Sequence, residues 1–357
     1  MKNSDTGALF SRPPRELCLL RLSAIGDTCH VVPLVRSLQQ VWPDTKITWV
    51  IGKVEHRLMR LLDGVEFITI DKRALWQSLR TLRAKLRDRQ FDALLLLQTA
   101  FRASLFSLAI PAPVRLGMDR ARAREMQWLF SNRQIAPAGN QHMQDLVLGF
   151  AHRLGIANPG LSWNLRIPAD AEDWAAQFIT PGQRTLIVSP CASHTRRVWS
   201  AARYAAVIDH AVQNLGMKAI VCASPSAEEC ALAADVTARC HAPVTNLAGQ
   251  DTLPQLLALL KRATVLLTPD SGPGHMATMV GLPVIGLYAA TRVARTGPYL
   301  SQAWCVDRYA EAARRFRGCG PEALEWTAYV QVPGVMDLIE VSDVIERLEA
   351  LLRSKSG

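Results

Sequence analysis

No stretch of this chain approaches the ~18 uninterrupted apolar residues of a membrane-spanning helix, so a helical integral membrane protein is not expected. The first dozen residues, MKNSDTGALFSR, lack the apolar core of a secretion signal and read as a short flexible leader. A cytoplasmic protein is the expectation. No two of the eight cysteines (18, 29, 191, 222, 230, 240, 305 and 319) form a C-x-x-C pair, and several lie inside apolar runs. That argues against a zinc site and for reduced thiols used as small core residues. Zinc-finger spacing and an aromatic RNP pattern are missing too, so nothing favours nucleic acid.

What the chain does hold is a core and a charge imbalance. Of 357 residues, 49% are apolar and 20% charged, the composition of a folded protein long enough for two domains. Net charge is +10. Residues 1–175 carry 24 Lys/Arg against 16 Asp/Glu, and 176–357 carry 17 against 15, so the excess belongs to the first half. The stretches "DKRALWQSLRTLRAKLRDR" (71–89) and "MDRARAREMQWLFSNR" (118–133) concentrate it. They are either a solvated helix face with a basic loop, or a surface for a polyanion: nucleic acid, acidic membrane, or a phosphorylated or carboxylated substrate.

In the second half, apolar runs at 185–190, 217–224, 242–248, 263–270 and 282–289 alternate with helical patterns at 201–216, 226–240, 252–262 and 272–280. Strands too apolar to alternate, separated by helices, predict a parallel sheet covered on both faces. The first half repeats the plan, with strands near 17–22, 45–51, 65–70, 91–98 and 113–117 and helices near 30–41, 54–62, 73–89, 101–109 and 141–154. The proline-bearing stretch 156–174 reads as a linker. The fold class is therefore α/β: two Rossmann-like, doubly wound domains, spanning 1–165 and 175–340. A C-terminal helix and tail over 341–357 follow, with Ser342 or Asp343 as helix cap.

Ligands of such sheets bind beyond the carboxyl ends of the strands. After the first strand come Gly26, suited to a tight turn, and Asp27, which is either a helix cap or a general base whose basicity a water-shielded pocket raises. His30, one turn on, orients Asp27, touches a ligand or is structural. After the strand at 185–190, the amides of Ala192 and Ser193 with Arg196 or Arg197 suit a phosphate, unless this is only a surface loop. After the strand at 263–269 comes "PDSGPGHMATMV", where Gly272 and Pro273 read as a helix cap and first-turn pair flanked by Asp270 and His275. The amides of that helix start suit a diphosphate. No Walker Gly-Lys-Ser/Thr and no G-x-G-x-x-G is present there. Glu228 or Glu229 stands where a carboxylate can accept ribose hydroxyls, or merely suits the helix dipole.

"LSAIGDTCH" (22–30) and "TPDSGPGHMATMVGLPVIGLYAATRVARTGPY" (268–299) together resemble glycosyltransferase family 9, the ADP-heptose:lipopolysaccharide heptosyltransferases, over residues 17 to 350. The resemblance implies a GT-B fold with two domains facing a central cleft. It assigns the acceptor to the first domain and the nucleotide-sugar to the second, with no metal and no cofactor beyond the ADP-heptose substrate. It implies Asp27 as catalytic base, Arg197 in the place of a phosphate-steadying lysine, and Ala192 and Ser193 at donor-contacting positions. Asp270, Ser271, Gly272, Pro273 and His275 fall on the sugar-nucleotide turn, and Glu228 on the ribose contact. His30, Arg120 and Arg122 are the candidates for holding the acceptor.

The implied reaction is inverting transfer of L-glycero-D-manno-heptose from ADP-heptose to Kdo of the lipopolysaccharide inner core. Its partners are an ADP-sugar donor, Kdo-lipid A or a related acceptor, and the inner-membrane surface, with no nucleic acid. The implied place is the cytoplasmic face of that membrane, peripherally attached. Two alternatives stay open: the same family acting on a second heptose, the outer core or O-antigen, and a non-catalytic polyanion-binding protein.

Overall fold

The computed structural model describes residues 7–355, so residues 1–6 of the expected leader and 356–357 of the tail lie outside the described residues. The chain divides into two compact units, one ending at Arg166 and the other beginning at Ile167. The first runs β1 (Glu16–Leu20), α1 (Ile25–Cys29), α2 (Val31–Val41), β2 (Lys46–Gly52), α3 (Lys53–Met59) and β3 (Val65–Ile70). It continues through α4 (Leu75–Lys85), β4 (Ala93–Leu96), α5 (Phe101–Ser107), β5 (Val114–Gly117), β6 (Arg133–Gln134) and α6 (Met143–Leu154). All six strands are parallel, in the order β3-β2-β1-β4-β5-β6.

The second unit opens with α7 (Ala169–Ala176), β7 (Thr185–Val188), α8 (Ala201–Gln213), β8 (Lys218–Val221), α9 (Ala227–Ala238), β9 (Thr245–Asn246) and α10 (Leu253–Arg262). It closes with β10 (Val265–Pro269), α11 (Gly272–Met279), β11 (Val284–Tyr288), α12 (Val293–Thr296), β12 (Val306–Asp307), α13 (Tyr309–Arg317) and α14 (Val341–Ser354). Its order, β12-β11-β10-β7-β8-β9, is that of the first unit over again, and again every pair is parallel. This is the doubly wound arrangement, whose strand order reverses between β1 and β4 and between β7 and β10.

The cores explain why these runs are strands. Leu17, Cys18, Leu19 and Leu20 of β1 are all buried, Cys18 and Leu20 in one cluster with Leu82, Leu86 and Phe106. Alternation turns Leu17 and Leu19 to the opposite face. Val188, Leu267, Ile285 and Leu287 play the same part in the second unit, under helices α8 and α14.

Several expectations change. The segment 7–12 is no free leader: Leu9 and Phe10 donate to the carbonyls of Arg153 and Leu154, and Phe10 meets Trp42 edge-on. Helix α7 begins inside the expected linker and runs past its end. The expected helix from residue 30 is preceded by the one-turn α1, so Gly26 and Asp27 lie within a helix. The last helix starts from Glu340, and Asp343 accepts from its N–H at 3.0 Å instead of capping. All eight cysteines are free thiols, five of them buried.

Candidate active site

In the first unit, β1 delivers the chain to α1 at the switch point. Ala24 is the residue before α1 and offers no side chain to cap it; Asp27 instead reaches back, Oδ2 accepting from the Ala24 N–H at 3.2 Å. The same oxygen is ion-paired with Nη2 of Arg21. Arg21 is 7% exposed, and its remaining nitrogens donate inward: Nε to the Ser23 carbonyl at 2.8 Å and Nη1 to the Leu97 carbonyl. A buried guanidinium thus clamps the carboxyl ends of β1 and β4 and holds Asp27 by one oxygen. The Asp27 side chain is 39% exposed and cation-paired, so the water-shielded pocket expected to raise its basicity is not what surrounds it.

His30 lies inside the unit at 4% exposure. Its Nδ1 faces Gln144 Oε1 at 3.1 Å, its carbonyl accepts from Gln144 Nε2 at 3.0 Å, and its ring meets His142 edge-on. Burial and these contacts make it a support of the α1–α2 junction. Arg122 is committed as well, to Asp119, Gln141 and the Ala136 carbonyl. Arg120 is exposed, its guanidinium stacked 3.6 Å over the Trp128 ring. Of the acceptor candidates, Arg120 is the one presented to solvent.

In the second unit, β7 and β10 meet at their ends. Thr268 Oγ1 donates to the Ser189 carbonyl at 2.9 Å, which leaves Ser271 Oγ as the donor in its 2.8 Å bond to Thr268 Oγ1. Ser271, not Gly272, is the N-cap of α11, yet its hydroxyl is turned to the strand and away from the helix amides. Gly272 is therefore the first helical residue and Pro273, without an N–H, the second. The amides of Gly272 and Gly274 open the first turn without a side-chain cap, the arrangement that accepts an anion. His275 follows in that turn, 9% exposed.

Asp270 closes β10 at 7% exposure. Its Oδ2 is 3.2 Å from Arg197 Nη1 and 3.5 Å from Thr296 Oγ1 of α12. Arg197 is held on its other side by Gln331, whose Oε1, with the amide oriented toward the guanidinium, accepts from Nη2 at 3.0 Å and Nε at 2.9 Å. The Tyr329 ring lies 5.1 Å from Arg197 Cζ. The loop carrying Arg197 is anchored by Trp199, 1% exposed, whose Nε1 donates to the Ile339 carbonyl at 3.0 Å. Burying that indole contributes about 4–5 kcal/mol, ample to fix the loop. The charge of Arg197 is consequently balanced by Asp270. Arg295, one residue before Thr296, meets no carboxylate among the described residues and reaches Tyr329 Oη at 3.4 Å.

Ala192 is half-buried and Ser193 exposed at the start of the same loop. Glu229 is spent on α9's entry, accepting from the Ser224 N–H at 2.9 Å, while Glu228 beside it is exposed. Farther along this edge, Asp251 precedes α10 with a buried Oδ2 that has no hydrogen-bond partner, and burial pushes its carboxyl up to about 7. Sequence reading missed Arg21, Thr296, Arg295, Tyr329 and Gln331. The available signal was an arginine inside the apolar run LCLLRL, and "TRVARTGPY" directly after an apolar strand. Among the described residues no group of three or more His, Cys, Asp or Glu is placed to hold a metal ion.

Two strand-end sites thus stand at the two switch points, a cation-held carboxylate on one unit and an anion-accepting helix start on the other. The profile of glycosyltransferase family 9 (heptosyltransferase) matches residues 79–323. A lipopolysaccharide core heptosyltransferase, OpsX, of Haemophilus influenzae is 39% identical over 96% of this chain and 99% of its own length. Two solved structures share the fold. A family 9 glycosyl transferase from Veillonella parvula has TM-score 0.78 at 20% identity, covering 95% of this chain and 97% of that one. The E. coli ADP-heptose lipopolysaccharide heptosyltransferase II has TM-score 0.72 at 19% identity, covering 96% and 100%.

Proposed function

Because the chain belongs to glycosyltransferase family 9, the heptosyltransferases, we propose that it moves L-glycero-D-manno-heptose from ADP-heptose to Kdo of the lipopolysaccharide inner core, with inversion. The observation that carries the reading is the carboxylate of Asp27 held by the buried Arg21 at the switch point of its sheet. Asp27 takes the proton of an acceptor hydroxyl as its oxygen attacks the anomeric carbon. The bond from that carbon to the diphosphate breaks on the opposite side, and ADP leaves with the electron pair. A leaving diphosphate gathers charge, and donors already fixed in place stabilise it without reorganising.

The second unit supplies such donors: the Gly272 and Gly274 amides, the dipole of α11, and Arg295, whose charge no carboxylate among the described residues offsets. Arg197 and Asp270 act as a braced pair that fixes the turn, with Ser193 and Glu228 left exposed to meet phosphate and ribose. In this reading the group needs no cofactor besides its substrate. The protein works in the cytoplasm at the inner membrane, where its acceptor is anchored; no helix among the described residues is long and apolar enough to cross a membrane. The non-catalytic alternative is set aside by family membership.

A second reading keeps the donor and changes the acceptor to a heptose. Membership of the family leaves it open, since the family's description, heptosyltransferase, names no acceptor. A donor screen with ADP-, UDP- and GDP-sugars on Kdo-lipid A, with linkage and anomeric analysis of the product, tests both. Heptose transfer to Kdo from ADP-heptose alone is expected. Transfer only to a heptosylated acceptor selects the second reading, and transfer from a UDP-sugar refutes both.

A further inference from the structure

The helix α4 carries a surface that the transfer chemistry does not use. Its inner side is ordinary: Leu82 and the following Leu86 are fully buried, with Leu75 and Leu79 packed against the same cluster. Its outer side is not. Trp76 is 75% exposed, the most exposed of the large apolar side chains. Arg80 and Arg83 follow it at spacings of four and three, with Arg87 four further on in the turn after the helix. At about 100° per residue the three on the helix, Trp76, Arg80 and Arg83, fall within roughly 60° of one another, a single stripe that Arg87 follows in the turn beyond.

The stripe is electrically unbalanced. Residues 71–89 hold seven Lys/Arg against two Asp and no Glu. Of the carboxylates nearby, Glu16 and Glu66 are engaged by Arg89, Glu55 by Lys72 and Asp71 by Lys53, which leaves Asp88, beside Arg87, as the exposed acid of this segment. Among the described residues, Arg80, Arg83 and Arg87 meet no carboxylate.

We infer that the Trp76–Arg80–Arg83–Arg87 stripe of α4 docks on an anionic lipid bilayer. An indole whose body is apolar and whose N–H is polar suits the headgroup level, and guanidiniums in line with it meet lipid phosphates. A nucleic-acid strand would ask for several aromatic platforms in series, and this stripe has one. The location serves the reaction. Helix α4 starts five residues after the carboxyl end of β3, the sheet edge that also carries Asp27, and Arg102 Nη1 donates to the Lys72 carbonyl at 2.9 Å to tie α5 to this entry. A bilayer seated on α4 therefore lies beside the edge where a lipid-borne acceptor is needed. The purpose of the surface rests on the proposed acceptor; its binding to lipid does not.

The test is sedimentation of the full chain with vesicles of 30 mol% phosphatidylglycerol in phosphatidylethanolamine, against pure phosphatidylcholine, at low and high salt. Each arginine near an anionic surface contributes about fivefold to partitioning, so R80Q/R83Q/R87Q should bind roughly 100-fold more weakly. Trp76→Ala should lower binding several-fold and leave the salt dependence in place. Both variants should keep the wild-type thermal midpoint and wild-type turnover of a delipidated Kdo acceptor, since these side chains are exposed and form no part of the proposed catalytic or donor machinery. Equal binding by the triple variant and wild type overturns the inference, as does wild-type binding to homopolymeric RNA with none to anionic vesicles. Vesicle binding by a protein that transfers no heptose would leave the stripe standing and refute the acceptor reading; turnover without vesicle binding does the reverse.

Discussion

Replacing Arg21 by glutamine removes the guanidinium that holds Asp27, and the size of the effect follows from what that guanidinium touches. Arg21 is 7% exposed and donates to the carbonyls of Ser23 and Leu97, which the substitution leaves short of a charged donor. Each such loss is worth about 1.5–3 kcal/mol when the acceptor stays buried. The ion pair adds at most about 1 kcal/mol, because the Asp27 side chain is 39% exposed and solvent screens it. With partial replacement by the amide, about 3 kcal/mol of stability should go, roughly 10 °C in a thermal melt. Arg21→Lys keeps the charge but not the fork, so it should recover part of the melt without restoring the orientation of Asp27. Its kcat should lie roughly 10- to 100-fold below wild type while ADP affinity stays put, the pattern of a misplaced reacting group. Calorimetry with steady-state kinetics and ADP titration reads all three. Wild-type kcat in Arg21→Lys, or an unshifted melt in Arg21→Gln, refutes the reasoning.

Arg295→Gln should weaken ADP about tenfold and leave adenosine affinity unchanged, since in the proposed binding mode the lost charge meets only the diphosphate; equal loss for both ligands in titration calorimetry would contradict that placement. Asp251 should make the fold more stable at pH 5 than at pH 8. Its folded-state carboxyl, pushed up to about 7, keeps a proton that the unfolded chain has released above about 4, so its contribution is full below pH 4 and lost as pH rises through 7. The span is as much as about 4 kcal/mol, and Asp251→Asn should shrink the difference between melts at the two pH values. Parallel pH trends in wild type and variant would rule it out.

The alternation of elements is legible because the central strands are buried on both faces. ELCLL, ALLL, TLIV and VLLTP are continuous apolar runs with helical patterns between them. Edge strands β6, β9 and β12 have two residues each, too few for any pattern, and the apolar run 242–248 pairs only through Thr245 and Asn246. Helix α13, YAEAARRFR, hides behind its charges because its buried side is Tyr309 with two alanines. Asp27 and Asp270 stand out as carboxylates soon after apolar strands, Asp270 directly after β10 and Asp27 in the short helix that follows β1. The partners that give them meaning do not: Arg21 finds its carbonyl acceptor 76 positions away at Leu97, and Arg197 meets Asp270 across 73. Such contacts are set by sheet order, which local spacing does not encode.

The most direct test of Asp27 as the base is turnover of ADP-heptose by Asp27→Asn, measured beside ADP affinity and the thermal midpoint. The asparagine oxygen can still accept from the Ala24 N–H, so the turn should survive. Turnover should fall by about 10²- to 10⁴-fold with ADP binding unchanged. Undiminished turnover in this variant would contradict the assignment.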